Sequence, residues 1–189
     1  MEIVVSLLFS VLGLVAVAGE LTLSALLLSF YNFLVAWMYL NHRPGKNKAL
    51  WWETALALTG TFLPLIAFRP APMSSAKGLG DEIGMFVQLW GLLGMIWSVF
   101  SLSASLGIAP VDRGLVTSGS YRRVRHPLYT FEIVFCLGYL LGNLTWWNVV
   151  VWVLLAGIQV ARALREEKVI AGYGEYAARV RWRFIPGVF

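Results

Sequence analysis

The chain has 189 residues, of which 59% are hydrophobic and only 13% charged, with a mean hydropathy of +0.72. Soluble domains run about 45–50% apolar and about 25% charged, so an ordinary soluble domain is excluded. The net charge of +5 and pI near 9.6 fit the Lys/Arg excess of cytoplasmic membrane-protein loops, and no binding to nucleic acid is expected.

Six apolar segments follow one another along the chain. A spanning helix needs about 20 mostly apolar residues. Segment 1–18 meets this; Glu2 is its only charge, so it lacks the basic start of a signal peptide and reads as a retained helix. Segment 21–40 follows after Gly19-Glu20, then 51–68, which holds Glu53 near its start and Pro64 near its end. Segment 83–109 is the longest and carries no charge. Segments 127–142 and 146–161 each reach about 24 Å at 1.5 Å per residue. They either cross the membrane or form a tight hairpin turning at Asn143-Leu144-Thr145. The expected fold is an all-α integral membrane domain of five to six transmembrane helices, with a C-terminal cytoplasmic helix. It forms one domain over 1–189, with helices in 1–106 and the polar segments in 107–189. Cys136 is the single cysteine and lies in an apolar run, so it reads as a small core residue; with no Cys/His cluster, no metal site is expected.

Charge placement sets the orientation. Arg43, Lys46 and Lys48 lie in the loop at 41–49, and Arg113, Arg122, Arg123 and Arg125 in that at 107–126. Arg162, Arg165, Lys168, Arg179, Arg181 and Arg183 lie in the tail, making thirteen of the 15 basic residues. Arg69 and Lys77 share the loop at 69–82 with Asp81 and Glu82, and its prolines and glycines read as a flexible outer connection. A path alternating from a cytoplasmic N-terminus puts all thirteen, and both later polar segments, on the cytoplasmic face.

Chemistry-bearing residues concentrate in those two segments. His126-Pro127 reads as a helix start, with proline at the first helical position. Helix N-termini favour anionic groups. Gly114 and Gly119 allow close backbone approach, while Tyr121 and Tyr129 offer aromatic faces to a cation. The same residues also fit a basic interfacial loop with tyrosine anchors, and the pattern leaves both readings open. Arg162 and Glu166 are spaced i,i+4 and share a helix face, surrounded by Arg165, Glu167 and Lys168. On a solvated helix such a pair is worth only about 0.2–0.5 kcal/mol; at a membrane boundary it is also a site candidate. Gly172-Tyr173-Gly174 breaks this helix. Glu132 is the one charge deep in an apolar segment, a functional candidate that also fits an interfacial role. Glu53 reads as interfacial, and His42-Arg43-Pro44 as a plain loop lacking the tyrosine of the later motif.

Leu115-Val116-Thr117-Ser118-Gly119-Ser120-Tyr121, then Arg125-His126-Pro127-Leu128-Tyr129, then Arg162 with Glu166-Glu167 and Gly174-Glu175-Tyr176, resemble the isoprenylcysteine carboxyl methyltransferases over roughly 107–186. Their wider relatives include phospholipid N-methyltransferases. The resemblance implies S-adenosylmethionine as donor, touching Arg113, Gly114, Leu115, Val116, Tyr121, His126, Pro127, Leu128, Tyr129 and Glu166, with Arg162 facing the acceptor. It also implies a lipophilic acceptor entering sideways from the bilayer lipids. Carboxyl methylation of a prenylcysteine-type or related small lipophilic substrate is the activity most resembled. Amine methylation of a phospholipid, and a non-catalytic binding or assembly protein keeping the fold, are the alternatives. Two positions depart from the family pattern. Phe131 stands where glycine is usual, with bulk that would narrow the acceptor channel, and Leu106 stands nearest to a glutamine of the eukaryotic enzymes.

Overall fold

The computed structural model describes residues 2–18, 23–69 and 78–188, and among them every regular element is helical. The helices are α1 (Glu2–Ala18), α2 (Leu23–Leu40), α3 (Trp51–Ala67), α4 (Leu79–Leu102), α5 (Pro127–Gly142), α6 (Trp146–Val169) and α7 (Tyr173–Arg179). Short 3₁₀ turns occupy Ser103–Ser105 and Gly119–Arg122. The connection expected between the first two helices, and most of that at 69–82 including Lys77, lie outside the described residues.

Two elements are long and apolar enough to cross a bilayer by length and composition: α4 with its following turn, Leu79–Ser105, and α6. The other apolar helices are shorter, α5 among them. The fourth segment, expected to run to residue 109, ends its α-helix at Leu102, and Ser103 takes φ 48°. Nothing charged marks that end, and Gly107 and Pro110 carry the chain onward in non-helical form. Conversely, α6 continues past 161 to Val169, carrying Arg162, Arg165 and Glu166 on helix.

Apolar faces gain little from each other in hydrocarbon, so close approach and polar bonds must hold the helices. α4 and α5 meet antiparallel along glycines. A Cβ on Gly84 would lie 2.6 Å from Gly138 O, and one on Gly91 2.7 Å from Phe135 Cα, so no larger residue allows this approach. α1 and α2 are joined by Ser6 Oγ donating to Ala36 O (3.1 Å) and Ser29 Oγ to Gly13 O (2.8 Å). Glu53, expected at the interface, is instead buried at 3% exposure. It caps α3 by accepting from Leu50 N (2.7 Å) and pairs with Arg165 of α6. Outward-facing side chains include Trp37, Ile66 and Trp90, each at least 60% exposed, a surface suited to lipid.

The two ends of the bundle differ. At one, Arg43 N donates to Ala104 O (2.7 Å), Lys46 N to Asp112 O (2.9 Å) and Arg125 N to Trp182 O (2.9 Å), gathering the three basic segments together. At the other, the fully buried Asn148 ties Arg69 to the three-residue α5–α6 turn through Arg69 N, Arg69 O and Asn143 O.

Candidate functional site

The basic end is built from loop 106–126 laid across the helix ends. Buried Asp112 closes an Asx turn, its Oδ1 accepting from Gly114 N at 2.9 Å. Gly114 holds φ 97°, a left-handed conformation that side chains resist. Asn47 Oδ1 accepts from Asp112 N (2.7 Å), fixing the turn to the first basic loop.

His126 caps α5, and Pro127 occupies the first turn, where a missing N–H costs nothing. His126 is 4% exposed, its ring parallel within 30° to those of Tyr129 (5.8 Å), Tyr173 (6.1 Å) and Phe184 (5.8 Å). Its Nε2 lies 3.0 Å from Tyr173 Oη and 3.3 Å from Glu167 Oε1. Its Nδ1 lies 3.7 Å from Glu166 Oε2. The anionic groups beside this helix start are therefore the protein's own. Glu167 is further held by Arg125 (3.1 Å) and Arg183 (2.9 Å), while Glu166 accepts from the Tyr129 hydroxyl. A C-terminal strap completes the enclosure: His126 N donates to Arg183 O (2.9 Å) and Thr130 Oγ1 to Phe184 O (3.2 Å). Tyr176 Oη donates to Tyr121 O at 2.7 Å, locking α7 to the loop. Burial raises the Tyr121, Tyr173 and Tyr176 hydroxyls above the ordinary phenol range, so all three carry their protons at neutral pH.

Between these parts lies a cavity of about 90 Å³. Arg113, Gly114, Leu115, Val116, Tyr121, His126, Leu128, Tyr129 and Glu166 all line it, as does Arg162. Pro127 does not; it is fully buried and serves the helix start. Tyr129 does not present a bare aromatic face, because the Arg162 guanidinium sits 4.7 Å over its ring.

A second cavity of about 260 Å³ lies among α1–α6, with mainly apolar walls from Phe9, Leu12, Leu28, Val35, Leu65, Met95, Leu106 and Phe135. Cys136 lines it too, buried as expected. Gly107, Leu128, Tyr129 and Arg162 line both cavities and form their junction. Arg162 is 6% exposed and held in place: Nη2 donates to Ile108 O (3.2 Å) and Nη1 to Gln159 Oε1 (3.0 Å). Its stem crosses Gly60, where a Cβ would stand 3.1 Å from Arg162 Cδ. Gln159 Nε2 donates in turn to Glu132 Oε2 at 2.7 Å, and Glu132 lines the second cavity. Phe131 is not among the lining residues of either cavity. Its ring fills the notch at Gly94 on α4, so its bulk is spent on helix packing and does not narrow the channel.

Residues 82–175, from the start of α4 into α7, match the phospholipid methyltransferase family model. That span is a domain of this family. No curated protein matches it significantly. The family's general activity is methyl transfer in membranes, and the matched span holds both polar segments with the junction between the cavities.

Several residues of this candidate site escape the sequence. Tyr173 stands inside what reads as a helix break, yet it opens α7 and bonds His126. Phe184 lies in the tail with no motif around it. Gln159 does carry a signal: a polar residue three before Arg162, hence on its helix face. His42 packs on Tyr39 (5.0 Å between ring centres) and lines neither cavity.

Proposed function

We propose that this methyltransferase carries a methyl group from S-adenosylmethionine to a lipophilic acceptor, at a cytoplasmic face marked by its three basic segments. The observation that carries the reading is the junction, where a polar cavity and an apolar one share Gly107, Leu128, Tyr129 and Arg162. The donor combines a sulfonium, an amino-acid zwitterion and an adenine. The first cavity offers chemistry for each: the Glu166 carboxylate for positive charge, Arg113 and Arg125 for the carboxylate, and Leu102, Leu115, Val116 and Ile170 for the base. When bound, it supplies an electrophilic methyl group.

The protein's own contribution is position and dryness. Orientation of two reactants supplies about 7–11 kcal/mol of barrier reduction, and the network around His126 gives a fixed wall for one of them. Excluding water strengthens every charge inside the site. Arg162, tied by two hydrogen bonds yet lining both cavities, is the cation placed to hold an acceptor carboxylate. Such an acceptor needs no general base, which supports carboxyl methylation of a prenylcysteine-type or related small lipophilic acid.

A second reading, methylation of a phospholipid amine, draws on the family match and on Glu132 lining the acceptor cavity, since an amine must lose a proton. Transfer of labelled methyl into a prenylcysteine analogue and into a phospholipid extract separates the two, because an ester product is released by base and an amine product is not. Titration with S-adenosylmethionine in lipid nanodiscs tests the shared premise. Saturable binding is expected, and its absence overturns both readings in favour of a non-catalytic membrane protein.

A further inference from the structure

The acceptor cavity is apolar over most of its wall, and two charged side chains reach it: Glu132 from α5 and Arg162 from α6. Gln159 stands between them, giving Nε2–H to Glu132 Oε2 and taking Nη1–H from Arg162. A carboxylate has no proton to give and a guanidinium no lone pair to offer, so the Gln159 amide, which carries both a donor and an acceptor, bridges the two through one bond on either side. Glu132 and Arg162 are thus kept one amide apart rather than collapsing into a direct ion pair. Among the described residues Glu132 Oε1 receives no hydrogen bond, so one oxygen of a cavity-lining carboxylate is left for a ligand.

An acceptor and a cation fixed one amide apart on a greasy wall form a template for the complementary headgroup. Arg162 takes an anionic group, and Glu132 takes a hydrogen-bond donor beside it. A plain fatty acid satisfies the first and leaves the second unmatched, at the cost of a desolvated carboxylate oxygen. We infer that Glu132 is a specificity-determining residue, selecting amphiphiles that carry an N–H or O–H donor on the carbon next to the acid. This rests on the reading of Arg162 as the acceptor-facing residue.

The test uses the full-length protein in nanodiscs and three probes with one chain length: hexadecanoic acid, 2-hydroxyhexadecanoic acid and hexadecylamine. The wild type is expected to bind the 2-hydroxy acid about tenfold more tightly than the plain acid, the size of one hydrogen bond to a charged group. Glu132→Gln keeps the Gln159 bond through its carbonyl oxygen but turns an NH₂ toward the cavity. It should melt with the wild type and, with a repelling carboxylate replaced by a donor, bind the plain acid more tightly, so that the tenfold preference is lost. Equal affinity for the two acids, failure of both to bind, or a preference that survives in E132Q overturns the inference. So does hexadecylamine binding as tightly as the 2-hydroxy acid, since Arg162 would then contribute nothing. S-adenosylmethionine titration of the same samples reads the methyltransferase proposal separately, and E132Q should bind it like the wild type.

Discussion

The two cavities that meet at Arg162 are held in different ways. The one on the basic side is enclosed by directed bonds: His126, Glu166, Glu167, Tyr129 and Tyr173 each fix another, with Arg125 and Arg183 closing the set. The one among the helices is enclosed by shape, from leucines, valines and phenylalanines of α1, α2, α3 and α5 with Met95 of α4. A directed polar network fixes a single geometry and penalises any missing member. Apolar walls in a bilayer carry no such penalty, so that chamber tolerates occupants of varied outline. Discrimination in the greasy cavity therefore falls to its few polar members.

Breaking the junction should cost most. Arg162→Ala strips Gln159 Oε1 and Ile108 O of their donor, so labelled-methyl transfer should fall at least about 100-fold, with a stability loss by thermal melting of about 1–3 kcal/mol for each acceptor left unsatisfied. A folded variant that transfers within tenfold of wild type would place the reaction elsewhere. Glu166→Ala and His126→Ala separate the two sides. Each should weaken S-adenosylmethionine binding by about tenfold or more, the scale of a charge-assisted hydrogen bond, and leave binding of fatty-acid probes unchanged. Unaltered donor affinity in both would remove the polar cavity's assignment. Gly60→Ala acts from the opposite side: its new methyl meets Ile158 Cγ2 at 2.9 Å and Arg162 Cδ and Nη1 at 3.1 Å. The acceptor KM should rise several-fold with donor affinity intact; an intact acceptor KM would mean Arg162 accommodates the shift without function. The smallest functional effect is expected at Phe131→Leu. Packing into Gly94 should cost about 1 kcal/mol of stability, while donor binding and acceptor preference stay within twofold. Altered acceptor preference would show that the helix seat does reach the channel.

How legible each side is in the sequence follows from the same contrast. The polar cavity draws most of its wall from a continuous run, Arg113 to Tyr129, and from the i,i+4 pair Arg162 and Glu166, so motif and helical spacing expose it. The apolar cavity takes single residues from faces far apart in the chain, such as Phe9, Tyr31 and Leu65. In uniformly hydrophobic helices no periodicity distinguishes a residue facing a cavity from one facing lipid. Phe131 shows the limit from the other direction. Its position in the motif suggests the channel, and only the course of α4 and Gly94 sends its ring elsewhere. Glu53 reads as interfacial because its partner, Arg165, is more than one hundred residues away. The end of the fourth helix was hidden because nothing charged stands between Glu82 and Asp112.

The strap at Arg183 and Phe184 has a consequence for biosynthesis. His126 receives its backbone partner and one of its stacked rings from residues made nearly sixty positions later. A ribosome-bound chain holding α1–α6 already carries every helix that walls the apolar chamber, but its other half has no closed wall until Arg183 and Phe184 are made. Since chains fold from the N-terminus during synthesis, the polar wall closes after the helices of the apolar one are in hand.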